Sequence, residues 1–206
     1  MNESSQEQKS QQFDYFIRLL LLGDLSVGKS SFIYRFIYDK FNPEEMKTSG
    51  LDMQSSDIAV DKTIVRVQLW DTVGEEKFKS INKNLILKVQ GIILVFDITK
   101  KETFDNIETW INLIQEQIGN KIKILIVGNK IDLEEERIMK KKEAKAYFKK
   151  QKLKYVETSC KNGHNIKKAI SYICKKLIES KDIPKDTSFS LNSSASSTIK
   201  KKHCCK

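Results

Sequence analysis

The sequence predicts an α/β fold organised around a mostly parallel sheet, on three observations. Apolar runs of strand length alternate along the chain with segments of helical period, the order of a sheet interleaved with helices. The run Gly91-Ile92-Ile93-Leu94-Val95-Phe96 is apolar on both faces, as a central strand covered by helices on either side must be. The first strand also runs directly into a glycine-bracketed loop with a helical period beyond it.

The elements follow in order. Tyr15–Leu22 reads as the first strand, ending in four leucines, and Phe32, Phe36 and Ile37 mark the apolar stripe of the helix after the loop. Met53–Val60 and Thr63–Trp70 are the next two strands, and Gly91–Asp97 is the buried one. Phe104, Ile107, Ile111, Ile114 and Ile118 recur at helical spacing and form a core stripe, with Trp110 beside it as a packing residue. Ile122–Gly128 and Lys154–Glu157 complete the strands, and Ile166, Ile170, Ile173 and Leu177 give the last helix its buried face. The segment Tyr38–Met53 is too irregular for an element of its own, and a long loop in a compact domain is usually functional.

At 206 residues the chain is long enough for one domain with a sizeable core and short for two. Residues 1–12 and Thr187–Thr198 are polar and without periodicity, so the expected organisation is a disordered arm over 1–12, a folded domain over 13–181 and a flexible tail over 182–206. With 8 glycines, 2 prolines and 39% apolar residues, collagen-like, disulfide-scaffold and mostly disordered classes are excluded. No apolar run approaches the roughly 18 residues of a bilayer span, and the polar start fits neither a secretory signal nor a transit peptide. The expectation is a protein whose synthesis finishes in the cytosol.

The net charge of +10 is unevenly placed: residues 1–100 carry 13 Lys and Arg against 14 Asp and Glu, and residues 101–206 carry 24 against 13. Eight lysines against Glu143 fall in Met139–Tyr155, which reads as a solvated helix face, and others in Lys200-Lys201-Lys202-His203-Cys204-Cys205-Lys206. Such charge suits either nucleic-acid phosphates or an anionic membrane surface, the latter at about 1 kcal/mol per lysine. Cys160 and Cys174 stand alone and Cys204 and Cys205 are adjacent, so neither a disulfide framework nor a zinc spacing can be built.

The chemistry sits in Gly23-Asp24-Leu25-Ser26-Val27-Gly28-Lys29-Ser30, which matches G-x-x-x-x-G-K-[ST] at every fixed position. The glycines let the loop wrap with its N–H groups inward, forming an anion nest with the next helix's N-terminus. Lys29 then reaches the β- and γ-phosphates, and the Ser30 hydroxyl is a ligand for Mg²⁺. Downstream, Asn129-Lys130-Ile131-Asp132 follows an apolar strand at the sheet edge where ligands bind. A carboxylate at Asp132 accepts from both N1–H and the 2-amino group of guanine, donors that adenine lacks, so the pocket selects guanine. Ser159-Cys160-Lys161 follows the last strand and offers the Cys160 N–H to guanine O6. Between them, Asp71 ends an apolar strand and brings a carboxylate towards the metal, and Gly74 offers an N–H to the γ-phosphate.

These residues, in this order, resemble the Ras superfamily of small GTPases, and within it the Rab branch, over about residues 13–181. The likeness is carried by the phosphate loop, Trp70-Asp71-Thr72, Lys77-Phe78-Lys79-Ser80-Ile81, Gly91 to Thr99, and the double cysteine. It implies a P-loop fold with a six-stranded sheet, mostly parallel with one antiparallel edge pair and helices on both faces, and a switch that GTP orders and hydrolysis releases. It also implies that Phe41 packs on the guanine, that Thr48 gives Mg²⁺ a second hydroxyl, and that Gly74 hinges the second switch. Leu25, Ser26, Val27 and Ser31 join the nucleotide-binding set, with Lys29 and Glu75 as the catalytic candidates. Effector proteins, an exchange factor, a GTPase-activating protein and prenylation machinery are the implied partners.

The chain departs from the family pattern at three places beside the γ-phosphate: Glu75 where Gln is usual, Val73 where Ala is usual, and Leu25 where Rabs carry Ser. An ionised Glu only accepts, and adds negative charge near phosphate, so slow or atypically regulated hydrolysis is expected. The effector segment Ser49-Gly50-Leu51-Asp52-Met53 is also altered, and Leu85-Ile86 replaces the usual paired tyrosines. Cys204 and Cys205 resemble a Rab-type terminus that receives two geranylgeranyl groups, and two lipids give the stable attachment that one does not. The expected location is the cytosolic face of a membrane. The rival readings are a non-hydrolysing GTP-binding module set by exchange alone and a basic nucleic-acid-binding protein; no nucleic-acid partner is expected.

Overall fold

Six strands form one mixed sheet in the computed structural model of the chain, which describes residues 12–42, 51–72, 83–181 and 183–185. In chain order these residues give β1 (Tyr15–Leu22), α1 (Lys29–Tyr38), β2 (Asp52–Val60), β3 (Thr63–Asp71), α2 (Lys83–Ile86), β4 (Gly91–Asp97), α3 (Lys101–Ile118), β5 (Lys123–Asn129), α4 (Lys141–Lys150), β6 (Lys154–Glu157) and α5 (Ile166–Glu179). The sheet order is β2-β3-β1-β4-β5-β6, with β2 antiparallel to β3 at one edge and all other pairs parallel. The chain passes from β1 to one side and later returns to β4 on the other, so the loop after β1 opens at the point where strand order reverses.

Alternation within the strands divides the core into two layers. Ile17, Leu19 and Leu21 of β1 and Ile93 and Val95 of β4 face α1 and α5, packing with Phe32, Phe36, Ile170 and Ile173. Leu20, Leu22, Ile92, Leu94 and Phe96 face the other way, against Ile107, Trp110 and Ile114 of α3 and Ala144 and Phe148 of α4. Every residue of β4 is buried, as expected of the apolar run. Each such Ile, Leu, Val or Phe contributes about 1.5–3 kcal/mol, which fixes the sheet as the rigid base of the loops.

Strand limits shift slightly from the sequence expectation, and with a common cause. The ladder continues past the apolar residues onto polar ones: Asp52 pairs with Asp71, and Asp97 with Asn129. The lysine-rich segment expected as a solvated face is α4, where Ala144 and Phe148 are buried and the lysines are exposed. No helix among the described residues is long and apolar enough to cross a membrane.

Candidate nucleotide site

The loop between β1 and α1 is shaped by its two fixed glycines. Gly23 has φ +135°, and a Cβ there would sit 2.1 Å from the Val95 carbonyl oxygen; Gly28 has φ +97°, and a Cβ would sit 2.4 Å from Asn129 Nδ2. Neither position admits a side chain. Gly28 also caps α1 without a side-chain acceptor, and the first turn of that helix carries no carboxylate, so the positive end of its dipole meets the loop without an acidic counter-charge.

Lys29 is 5% exposed, and its Nζ donates to the carbonyls of Gly23 and Asp24, each at 2.9 Å, so the ammonium is folded into the curl of the loop. Asp24 is 2% exposed and turns away from the loop: its carboxylate accepts from Trp110 Nε1 at 3.0 Å and Asn106 Nδ2 at 2.7 Å, one turn apart on α3. Trp110, expected to pack only, therefore also bonds the phosphate loop. Leu25 is 56% exposed on the outside of the loop, and Ser26 beside it takes a left-handed φ of 58°. Val27 is buried, and Ser30 and Ser31 open α1.

The base-side loops are tied to the same place through Asn129, the last residue of β5 and 1% exposed. Its Nδ2 donates to the Val27 carbonyl at 2.9 Å, and its Oδ1 accepts from Thr158 Oγ1 at 3.1 Å and Cys160 Sγ at 3.4 Å. Lys130 has φ +70° and its Nζ meets the buried Asp97 carboxylate at 2.7 Å. Asp132 accepts from Ser159 Oγ at 2.5 Å, joining the two base-side loops. Burial pushes the Cys160 thiol up to about 12, so it is a neutral S–H donor here.

Sequence reasoning missed a clamp from α1. Arg35 Nε donates to the Cys160 carbonyl at 2.7 Å and its NH2 to the Lys161 carbonyl at 2.5 Å, across more than 120 residues of sequence. Its position on a helix otherwise read from Phe32 and Phe36 gives no signal of this. Arg137 is a second such residue, meeting Glu157 at 3.0 Å just before the Ser159-Cys160-Lys161 loop.

Asp71 is buried at the end of β3, which lies beside β1 in parallel register, and Ser30 is the second residue of α1, the helix entered by the loop after β1. Two hard oxygen donors of this kind fit Mg²⁺ rather than a softer ion. Phe41 lies beyond α1 and is 38% exposed. Thr48, Val73, Gly74, Glu75, Cys204 and Cys205 lie outside the described residues.

Comparison with known proteins reaches the same chemistry from another side. Residues 18–179 match the family model described as Ras family. The chain is 33% identical to the Ras-related protein Rab11B of Nicotiana tabacum over 94% of each chain. It is 36% identical to the Ras-related protein Rab-1 of Theileria parva over 81% of this chain and 76% of that one. It is 34% identical to the Ras-related protein SEC4 of Saccharomyces cerevisiae over 94% of this chain and 93% of the relative. The chain belongs to the Ras family of small GTPases, on its Rab branch.

Proposed function

We propose that the chain is a GTP/GDP switch of vesicle-mediated membrane traffic whose hydrolysis is slow, attached to the cytosolic face of a membrane by lipids on Cys204 and Cys205. One observation carries the nucleotide assignment: Asn129 bonds the phosphate loop at Val27 and the base-side loop at Thr158 and Cys160 at once. That arrangement suits a ligand with phosphates at one end and a base at the other. Asp132, aligned by Ser159, accepts from the two guanine donors; the Cys160 N–H faces O6, and Phe41 covers the ring.

In hydrolysis the loop N–H groups from Leu25 to Ser31 and the Lys29 ammonium, pre-placed between two carbonyls, stabilise charge that spreads over the γ-phosphoryl oxygens. Ser30, Asp71 and Thr48 would hold Mg²⁺, which when bound would supply positive charge against the phosphates. Gly74 donates to the γ-phosphate in the second switch. Ionised Glu75 would accept a hydrogen bond from water but donate none, and its charge would oppose an anionic transition state. Leu25, exposed on the loop, puts an apolar side chain where a partner's arginine would approach. The exchange-only module is the limit of this reading, in which turnover is absent.

Single-turnover hydrolysis compared between the native chain and Glu75→Gln tests the slow step. The substituted chain is expected to be at least about tenfold faster; equal rates overturn slow hydrolysis. A competition titration in which ATP displaces bound GDP as well as GTP does would overturn the nucleotide assignment itself. Cys204→Ser with Cys205→Ser is expected to leave the protein soluble, and its persistence on membranes would refute lipid attachment. Effectors, an exchange factor, an activating protein and prenylation machinery are the partners this reading requires.

A further inference from the structure

Strands β4, β5 and β6 are parallel and begin at the same end of the sheet, away from the nucleotide site at their carboxyl ends. Lys123 opens β5 and Lys154 opens β6; Lys121 lies two residues before Lys123, and Lys149, Lys150 and Lys152 lie in the last turn of α4 and the turn after it. All six are exposed, and none has a carboxylate within ion-pairing distance among the described residues. Lys154 instead lies over the Tyr172 ring, 5.2 Å from its centroid. Carboxylates at this end are Asp14, just before β1 and accepting from the Ile64 N–H, Asp61, held by Lys175, Glu179, held by Lys176, and Glu108 of α3, which accepts from the Tyr147 hydroxyl at 3.2 Å. Six exposed lysines therefore stand at one end, none of them in an ion pair among the described residues.

Two further features share this end. A cleft of about 580 Å³ opens between α3 and the end of α4, lined by Ile111, Ile122, Ile124 and Leu153 together with the polar Glu108, Gln115, Gln151 and Lys152. The final turn of α5 also lies here: Leu177 packs over Gly91 at the start of β4, and Lys175 reaches Asp61 in the β2–β3 turn. The chain consequently leaves the domain towards residues 186–206 from the end that carries the lysines.

We propose that this end of the sheet is a membrane-docking surface, and that its occupant is an anionic lipid bilayer. Anionic headgroups match exposed lysines that no carboxylate of the described residues pairs, and each surface lysine adds to the attraction. Exit of the tail at the same end favours a bilayer over a nucleic acid, because residues 200–206 and the domain surface then meet one plane. The inference deepens the membrane reading above and rests on it for the orientation of the tail. It sets the nucleotide site and the exposed phosphate-loop side on the cytosol-facing end, where partners reach them.

The test uses the full chain, unlipidated and loaded with GDP, in co-sedimentation with phosphatidylcholine vesicles containing about 30 mol % phosphatidylserine, an anionic surface of the kind lysines sense. A variant with Lys121→Gln, Lys149→Gln, Lys150→Gln and Lys152→Gln is expected to bind about tenfold more weakly or worse. A variant of equal charge change at the other end, Lys100→Gln, Lys140→Gln, Lys142→Gln and Lys168→Gln, is expected to stay within about twofold of native. Equal loss in both variants would overturn the proposal in favour of diffuse net charge. Loss only on replacing Lys200, Lys201 and Lys202 by Gln would overturn it in favour of the tail alone. Displacement from vesicles by sub-stoichiometric RNA would assign the surface to nucleic acid. None of these results touches lipid attachment, which the Cys204 and Cys205 substitutions test separately.

Discussion

Replacing Trp110 by Phe keeps an aromatic ring in the α3 layer and deletes the one N–H that meets Asp24 Oδ1 at 3.0 Å. The acceptor is a carboxylate 2% exposed, so water cannot take the lost donor's place without opening the layer. Hydrogen bonds to charged groups contribute about 1.5–3 kcal/mol, and the smaller ring removes a little more packing. The expected loss is about 2 kcal/mol in urea unfolding at a fixed, saturating GDP concentration. Because the Asp24 carbonyl also holds Lys29, a loosened loop should release GDP about tenfold faster, the rate equivalent of about 1.4 kcal/mol. A double-mutant cycle with Asp24→Ala isolates the bond from the packing. Coupling below about 0.5 kcal/mol would refute the claim that α3 holds the phosphate loop through this carboxylate.

Other expectations follow from the same network. Arg137→Met leaves Glu157, whose side chain is 4% exposed, with the largely exposed Lys141 as its one cationic partner among the described residues; a loss of about 3 kcal/mol is expected in thermal or urea unfolding, and a loss under about 1 kcal/mol would show the pair to be incidental. Burial pushes the Cys174 thiol from its ordinary 9.0 up to about 12. The folded state thus keeps its proton where the unfolded state releases it, so stability is full below pH 9 and falls as pH rises towards 12. Cys174→Ala should flatten that alkaline decline in urea unfolding between pH 8 and 10.5, and an unchanged slope would count against the assignment. The same burial predicts that Cys160 and Cys174 resist a thiol reagent at neutral pH until the protein unfolds.

The sheet was legible in the sequence because burial on one or both faces writes a local period. β1, β4 and β6 fall where their apolar runs end, and the helices α3 and α5 follow stripes of Ile and Leu. The ladder's extension onto Asp71 and Asn129 was not legible, since strand pairing there continues through polar residues that carry the site. The phosphate loop and Asn129 to Asp132 were visible because their chemistry demands fixed residue types at fixed spacing. The ties between them were not. Arg35 to Cys160 spans 125 residues and Trp110 to Asp24 spans 86, and such pairs exist only once the topology has folded one loop over another. A tryptophan beside an apolar stripe reads as packing on any periodicity, because its single N–H leaves no trace in spacing. Of the basic run, Lys141 to Lys150 lie on α4, Lys152 in the turn after it and Lys154 at the start of β6, and their grouping with Lys121 and Lys123 depends on parallel strands starting together.

The Asn129 amide works as the pivot of a caliper. One jaw is the loop that grips at Val27, the other is the loop that grips at Thr158 and Cys160, and Arg35 braces the second jaw against the helix that carries the first. The opening is therefore set by the protein before anything enters it, and a guest is measured for length as well as for chemistry. A nucleoside lacking phosphates, or inorganic pyrophosphate lacking a base, engages one jaw and leaves the pivot unloaded, so neither half should compete in proportion to its own contacts.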